Sequence, residues 1–217
     1  RQRDDYTALW VVGPPLDSWL VDQSAGVVSG DFEALNEWSA KSKQARTPFD
    51  LAEGELMDKE IVLFWPKAHQ LGIWWLKWLC EQLPSGTPFE VVGEHQGGIK
   101  RVPKMLEELG MPCDKRDNAR RCSLFATYTI APESVSESAW QNFEALGLTI
   151  VSHPGVFGHG KVDEGTLLML ESIASSLPKK PLKVLDMGCG DGIISAWLAQ
   201  RGHHVTAVDV SAFAVEA

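Results

Sequence analysis

At 217 residues the chain is longer than a typical single domain. Its 44% hydrophobic and 23% charged residues suit a packed globular protein and argue against wholesale disorder. A net charge of −9 argues against a broad electrostatic grip on nucleic acid and leaves room for a local basic patch.

Other bulk features narrow the class further. No apolar run approaches the roughly 18 residues that a membrane span needs, so no membrane partner is expected. There is no basic-then-apolar leader. The chain starts at Arg1 rather than Met, so a few N-terminal residues are expected to precede it. Cys80, Cys113, Cys122 and Cys189 show no C-x-x-C spacing, which suggests neither a zinc site nor a disulfide framework. Reduced thiols in a cytoplasm fit, and no metal is expected. The nine tryptophans read as filling for cores and domain contacts.

In chain order, "YTALWVVGPP" reads as a buried strand over Thr7 to Val12, stopped by Gly13-Pro14-Pro15. "AGVVSGD" is a second short apolar run. Asp31 can cap a helix reaching about Lys43, with Phe32, Leu35 and Trp38 on one face. Polar "SKQARTP" follows as a loop. Ile61 to Trp65 is a near-continuous apolar strand of the kind covered on both faces in a parallel sheet, and Pro66 ends it. "QLGIWWLKWLCEQL" has helical spacing, with Leu71, Trp74, Trp75, Trp78 and Leu79 on one side. Next come strand "FEVVGE", glycine loop "HQGGIK", a short helix "RVPKMLEELG" closed by Gly110, and strand "SLFATYTI". Strands alternating with helices predict a βαβ, Rossmann-like domain over residues 1–131.

A polar linker is expected over 132–147, and a second domain over 148–217. The latter opens with strand Leu148 to Val151, a loop over Pro154 to Asp163 and an amphipathic helix from Glu164 to about Ser176. Strand Lys183 to Asp186, helix "IISAWLAQRG" and strand "HHVTAVDVS" then form one complete β-turn-α-β unit.

The turn within that unit is "DMGCGDG". Three glycines at a helix N-terminus let a ligand approach the backbone without Cβ obstruction, beside free N–H groups. The spacing is G-x-G-x-G rather than the G-x-G-x-x-G of dinucleotide sites, and Asp186 stands two residues before the first glycine. An acid there repels a pyrophosphate and suits a ligand with an ammonium group and no phosphate, such as S-adenosylmethionine (SAM). Asp209, 19 residues after Gly190, ends the next strand, where a carboxylate can accept from both ribose hydroxyls.

The blocks "FWPK", "VVGEHQGGIKR", "DNARRCSLF", "GLTIVSHPGVFGHGKVDEGTLLML", "VLDMGCGDGIIS" and "VDVSAFAVEA" occur in order over most of the chain. With them the sequence resembles class I SAM-dependent methyltransferases, more closely the ribosomal RNA guanine-N2 enzymes, and closest of all the ribosomal RNA small subunit methyltransferase C family. The resemblance implies an α/β fold: a degenerate, Rossmann-like methyltransferase domain, then the first part of a class I SAM-dependent domain. It implies methyl transfer from SAM to the exocyclic N2 of one guanine of 16S rRNA in the small ribosomal subunit, and a monomer is expected.

Residue by residue, Asp186, Gly188, Cys189 and Gly190 match the SAM turn, and Asp209 with Val210 matches the ribose and adenine end. Phe157, Asp163 and Thr166 match a loop and helix start flanking the methionine end of SAM in similar enzymes, although Asp163 could equally be a helix N-cap. Similar guanine-N2 enzymes carry an Asn-Pro-Pro-Phe motif that holds the amine and stacks the base. No N-P-P occurs here, so that motif is expected beyond Ala217. No catalytic residue is assigned within the chain, and weak or no SAM binding by this stretch alone is expected.

Cations concentrate in "GGIKR" (Lys100, Arg101) and "DKRDNARR" (Lys115, Arg116, Arg120, Arg121). They read as phosphate contacts to rRNA or as a solvated surface partly paired with Asp114 and Asp117. The histidines lack ligand spacing. Two other readings remain: a SAM-dependent enzyme with another acceptor (a 23S rRNA guanine or a protein glutamine), or a first domain serving as a non-catalytic RNA-binding or folding module.

Overall fold

The computed structural model describes residues 7–132 and 139–217. The chain divides into two compact units, residues 1–137 and 138–217.

The first unit runs β1 (Leu9–Val12), α1 (Ser18–Gln23), β2 (Gly26–Val28), α2 (Phe32–Ala40), β3 (Gln44–Arg46), β4 (Glu60–Phe64), α3 (His69–Gln82) and β5 (Pro88–Glu94). A 3-10 turn (Ile99–Arg101) leads into α4 (Val102–Glu108), followed by β6 (Asp114–Ala119) and β7 (Cys122–Tyr128). The strands form one seven-stranded sheet in the order β3-β2-β1-β4-β5-β7-β6. β1 to β5 are parallel, and β7 enters antiparallel between β5 and β6.

The sequence explains this build. β1 is LWVV, buried along its whole length, as a central parallel strand covered on both faces must be. α2 starts at Asp31, whose carboxylate accepts from the Glu33 amide. It buries Leu35 and Trp38 while Phe32 is 36% exposed, and the Trp38 indole donates to Ser24 Oγ at 2.8 Å. β2 passes so close to Trp10 that a Cβ on Gly26 would stand 2.5 Å from the indole ring. α3 buries Trp75, Leu76, Trp78, Leu79 and Cys80.

Strand order reverses between β1 and β4, the place where an open α/β sheet offers a crevice at its carboxyl ends. Here a tryptophan borders that place. Gly13, with φ +58°, follows β1, and a Cβ on it would lie 3.5 Å from the Trp75 indole nitrogen and 3.6 Å from the Phe64 carbonyl oxygen. Trp75 is 2% exposed.

The second unit contains an antiparallel hairpin, β8 (Gln141–Ala145) and β9 (Leu148–Ser152), then α5 (Glu164–Ala174). A parallel pair follows, β10 (Lys183–Met187) and β11 (His204–Val208), linked by α6 (Ile193–Gln200), and then α7 (Ala212–Glu216). Leu170 of α5 and Trp197 and Leu198 of α6 form its buried apolar cluster.

Three stretches differ from the sequence expectations. Gln141–Ala145, expected within a linker, is a strand, because Leu146 (φ +55°) and Gly147 (φ +73°) make a two-residue turn of the type that closes hairpins. Gln44–Arg46, expected as loop, pairs with β2 at the sheet edge. Asp114–Ala119, noticed only for its charges, is the exposed edge strand β6, and edge strands of this kind deter pairing with other chains by carrying charge. Among the described residues no helix is long and apolar enough to cross a membrane.

Candidate functional site

The site forms where β10 and β11 end side by side. Met187 is registered against Val208, so the residues that follow each strand emerge together. The Gly188 and Cys189 amides both donate to the Val208 carbonyl, at 2.8 and 3.1 Å. The next amide, of Gly190, donates to Asp209 Oδ2 at 3.0 Å, and the Ser211 amide donates to Asp209 Oδ1 at 2.8 Å. Each carboxylate oxygen keeps a further lone pair after these bonds. Asp209 can therefore hold the turn and still accept from two ligand hydroxyls.

The glycines are dictated by backbone conformation. Gly188, Gly190 and Gly192 have φ of +77°, +55° and +75°, a region that side chains disfavour. A Cβ on Gly188 or Gly192 would meet no atom within 4 Å, so the turn leaves open space over its backbone. α6 begins at Ile193 with Gly192 as its cap residue, which has no side chain to offer, and the Ile193 amide donates to the Asp191 carboxylate instead. Amides at a helix start attract negative charge or lone pairs.

Asp186, on β10, is 8% exposed. A buried carboxylate needs hydrogen-bond partners, and Ser195 of α6 supplies one, its Oγ donating to Asp186 Oδ2 at 2.6 Å. Burial raises the pKa of Asp191 in the same turn. Cys189 is pushed up by burial and then by the Asp209 and Asp186 carboxylates, which keeps it a thiol rather than a nucleophilic thiolate.

The loop between β9 and α5 lies against this turn, with Val156 Cγ1 3.9 Å from where a Gly190 Cβ would stand. His153 fixes the loop's start. Its ring stacks on Phe213 at 4.6 Å and 3° and lies 4.7 Å from Trp140, and its Nδ1 accepts from the Gly155 amide at 3.0 Å. Gly155 must lack a side chain, since a Cβ there would overlap the Phe213 ring. Burial, and secondarily the neighbouring His159, lowers the His153 pKa to about 3, so the ring is neutral.

Among the residues expected to flank the ligand, Phe157 projects from this loop and is 85% exposed. Asp163 is the N-cap of α5, accepting from the Gly165 and Thr166 amides at 3.0 and 3.3 Å. Thr166 is half-buried in the first turn of α5. Val210 follows Asp209 and is 57% exposed. The fold thus joins Asp186, Gly188, Cys189, Gly190 and Asp209 into one constellation. Ser195, Val156 and His153 were not singled out from the sequence: nothing in a serine inside "IISAW" signals that it reaches back to a strand carboxylate.

The basic residues lie in the first unit. Arg120 and Arg121 are the two loop residues of the β6–β7 hairpin, with φ of +51° and +64°. The His95 amide, just past β5, donates to the Arg121 carbonyl at 2.8 Å. This bond brings the hairpin tip to the start of the loop that carries Lys100 and Arg101. All six cations, including Lys115 and Arg116 on β6, are exposed, and Arg116 is paired with Asp114 at 3.2 Å.

Residues 9–143 match the methyltransferase small domain N-terminal model, and residues 147–217 match the methyltransferase small domain model. The chain belongs to the methyltransferase small domain family. Within this family it is 50% identical over 219 residues to the ribosomal RNA small subunit methyltransferase C of Chromohalobacter salexigens, covering 100% of this chain and 65% of that protein. The namesake from Vibrio vulnificus is 37% identical over 163 residues, covering 71% of this chain and 46% of the relative. The chain therefore spans two thirds or less of the length of these curated methyltransferase relatives. A solved T. thermophilus 16S rRNA N2 methyltransferase in complex with AdoMet and guanosine shares the fold, with a TM-score of 0.79 at 22% identity over 99% of this chain and 62% of that one.

Proposed function

We propose that the full-length polypeptide to which this chain belongs transfers a methyl group from SAM to the exocyclic N2 of a guanine in 16S rRNA, presented in the small ribosomal subunit. The observation that carries the reading is the paired anchoring of Asp209 by Gly190 and Ser211 beside a glycine turn with open space over its backbone. The names of the relatives support the acceptor.

The donor set fits SAM on physical grounds. Asp186 and Asp209 flank the turn with negative charge, which suits a sulfonium and an ammonium and disfavours a pyrophosphate. Asp209 accepts from the ribose hydroxyls, and Val210 lies against the adenine. Gly188 and Gly190 let the amino-acid part of the ligand lie on bare backbone, close to Asp186. The loop bearing Phe157, together with Asp163 and Thr166, borders the methionine end.

SAM supplies a methyl on positive sulfur, so that the N2 lone pair forms the new N–C bond, the C–S bond pair stays on sulfur, and one N2 proton leaves. The residues of this chain bind and orient the donor, and holding the reactants in line is the main source of such rate enhancement. The exposed cations Lys100, Arg101, Lys115, Arg116, Arg120 and Arg121 contact rRNA phosphates, giving the acidic chain its local basic grip.

The test is transfer from labelled SAM by the full-length polypeptide to 30S and 50S particles lacking the modification. Label on a guanine N2 of 16S rRNA in 30S particles is the expected result. Label only on 50S particles, or none on either, overturns the proposal.

A further inference from the structure

Ser195 is the third residue of α6, and a serine there commonly turns its hydroxyl back on its own helix. Instead its Oγ crosses the turn and donates to Asp186 Oδ2, nine residues earlier, at 2.6 Å. That distance is typical of a hydroxyl bonded to an ionised carboxylate, a charge-assisted bond stronger than a neutral one. Asp186 is 8% exposed, so the hydroxyl orients the carboxylate where few other groups reach it. The glycines of the turn contribute no side chain to compete for that space.

We propose that Ser195 is a positioning residue: it locks the Asp186 carboxylate in the rotamer that receives the α-ammonium group of the donor's amino-acid end. The inference rests on the SAM reading of the turn. Ser195 touches no reacting atom. Its effect is confined to ligands that carry the ammonium.

Calorimetric titration of the full-length polypeptide with SAM and with 5′-methylthioadenosine, which keeps the adenosine and lacks the amino-acid end, separates the possibilities. Ser195→Ala is expected to weaken SAM about tenfold, the scale of losing one hydrogen bond to a charged group, and to leave 5′-methylthioadenosine unchanged. Ser195→Thr, which keeps the hydroxyl, is expected to bind SAM as the wild type does. In turnover, the Ala variant raises KM for SAM and leaves kcat unaltered.

Equal weakening of both ligands by Ser195→Ala indicates general damage to the turn and overturns the proposal. So does an unchanged SAM affinity, or a Thr variant as weak as Ala. A wild-type protein that binds neither ligand defeats the SAM reading itself, and this inference with it. Wild-type binding without the predicted ligand difference defeats this inference alone.

Discussion

The Gly190 amide and Asp209 Oδ2 lie 3.0 Å apart, and this bond ties the turn after β10 to the residue that follows β11. With the Ser211 amide on the other oxygen, Asp209 braces the turn and keeps lone pairs that the hydroxyls of the proposed ligand can use. Asp209→Asn replaces one acceptor oxygen with an NH2 that faces a backbone N–H. If the carboxylate serves the ribose that both share, affinity for SAM and for adenosine should fall together, by about tenfold or more. Calorimetry checks this, and adenosine binding equal to wild type would remove Asp209 from the ribose.

Gly188 gives a different balance. With φ at +77° and nothing within 4 Å of a Cβ, Gly188→Ala carries only the backbone penalty, about 1–2 kcal/mol. The added methyl projects into the space assigned to the donor. A modest fall in Tm with SAM binding reduced well beyond tenfold is expected. A Tm loss without a binding loss would mean that the donor lies elsewhere.

At the β6–β7 tip, Arg120 and Arg121 occupy conformations that Asn-Gly adopts with less strain. The double change Arg120→Asn with Arg121→Gly should therefore stabilise the hairpin by about 1 kcal/mol, the relief of left-handed strain less the entropy that glycine adds to the unfolded chain, while weakening rRNA binding. If both guanidiniums contact phosphates, the slope of log affinity against log salt should drop by about two. Unaltered affinity and slope would return this patch to solvated surface.

His153 makes stability depend on pH. Its folded pKa is about 3 against roughly 6.5 in an unfolded chain, so between those values the unfolded state binds the extra proton. Stability from this group is complete above about pH 6.5 and is lost as pH falls toward 3, by at most about 1.4 kcal/mol per pH unit. His153→Phe retains the stack on Phe213 without the titration. The stability gap between wild type and variant, from denaturant melts at pH 7 and pH 5, should shift in favour of the variant on acidification. A constant gap would show that the ring does not titrate on unfolding.

Strongly periodic elements could be read from the sequence. Apolar "IVLFW" became β4, the helical spacing of Leu71 to Leu79 became α3, and Asp31 and Asp163 cap helices as their positions suggest. The glycine turn and Asp209 were legible because φ > 0 and strand-end carboxylates leave compositional marks. β6 and β3 were not, since edge strands bury little and show no alternation. β8 was hidden because its register comes from the Leu146-Gly147 turn and its pairing with β9, not from its own side chains. Ser195 was invisible for a similar reason: its role exists only once α6 packs beside β10.

The Trp75 indole beneath Gly13 has a consequence for stoichiometry. The first sheet reverses strand order just as ligand-binding α/β sheets do, yet at that point it presents a buried aromatic where a bare glycine backbone would be needed. On the SAM reading, the full-length polypeptide is thus expected to saturate at one molar equivalent of SAM. Shrinking Trp75 would open a void without creating a second receptor, because no G-x-G-x-G follows β1.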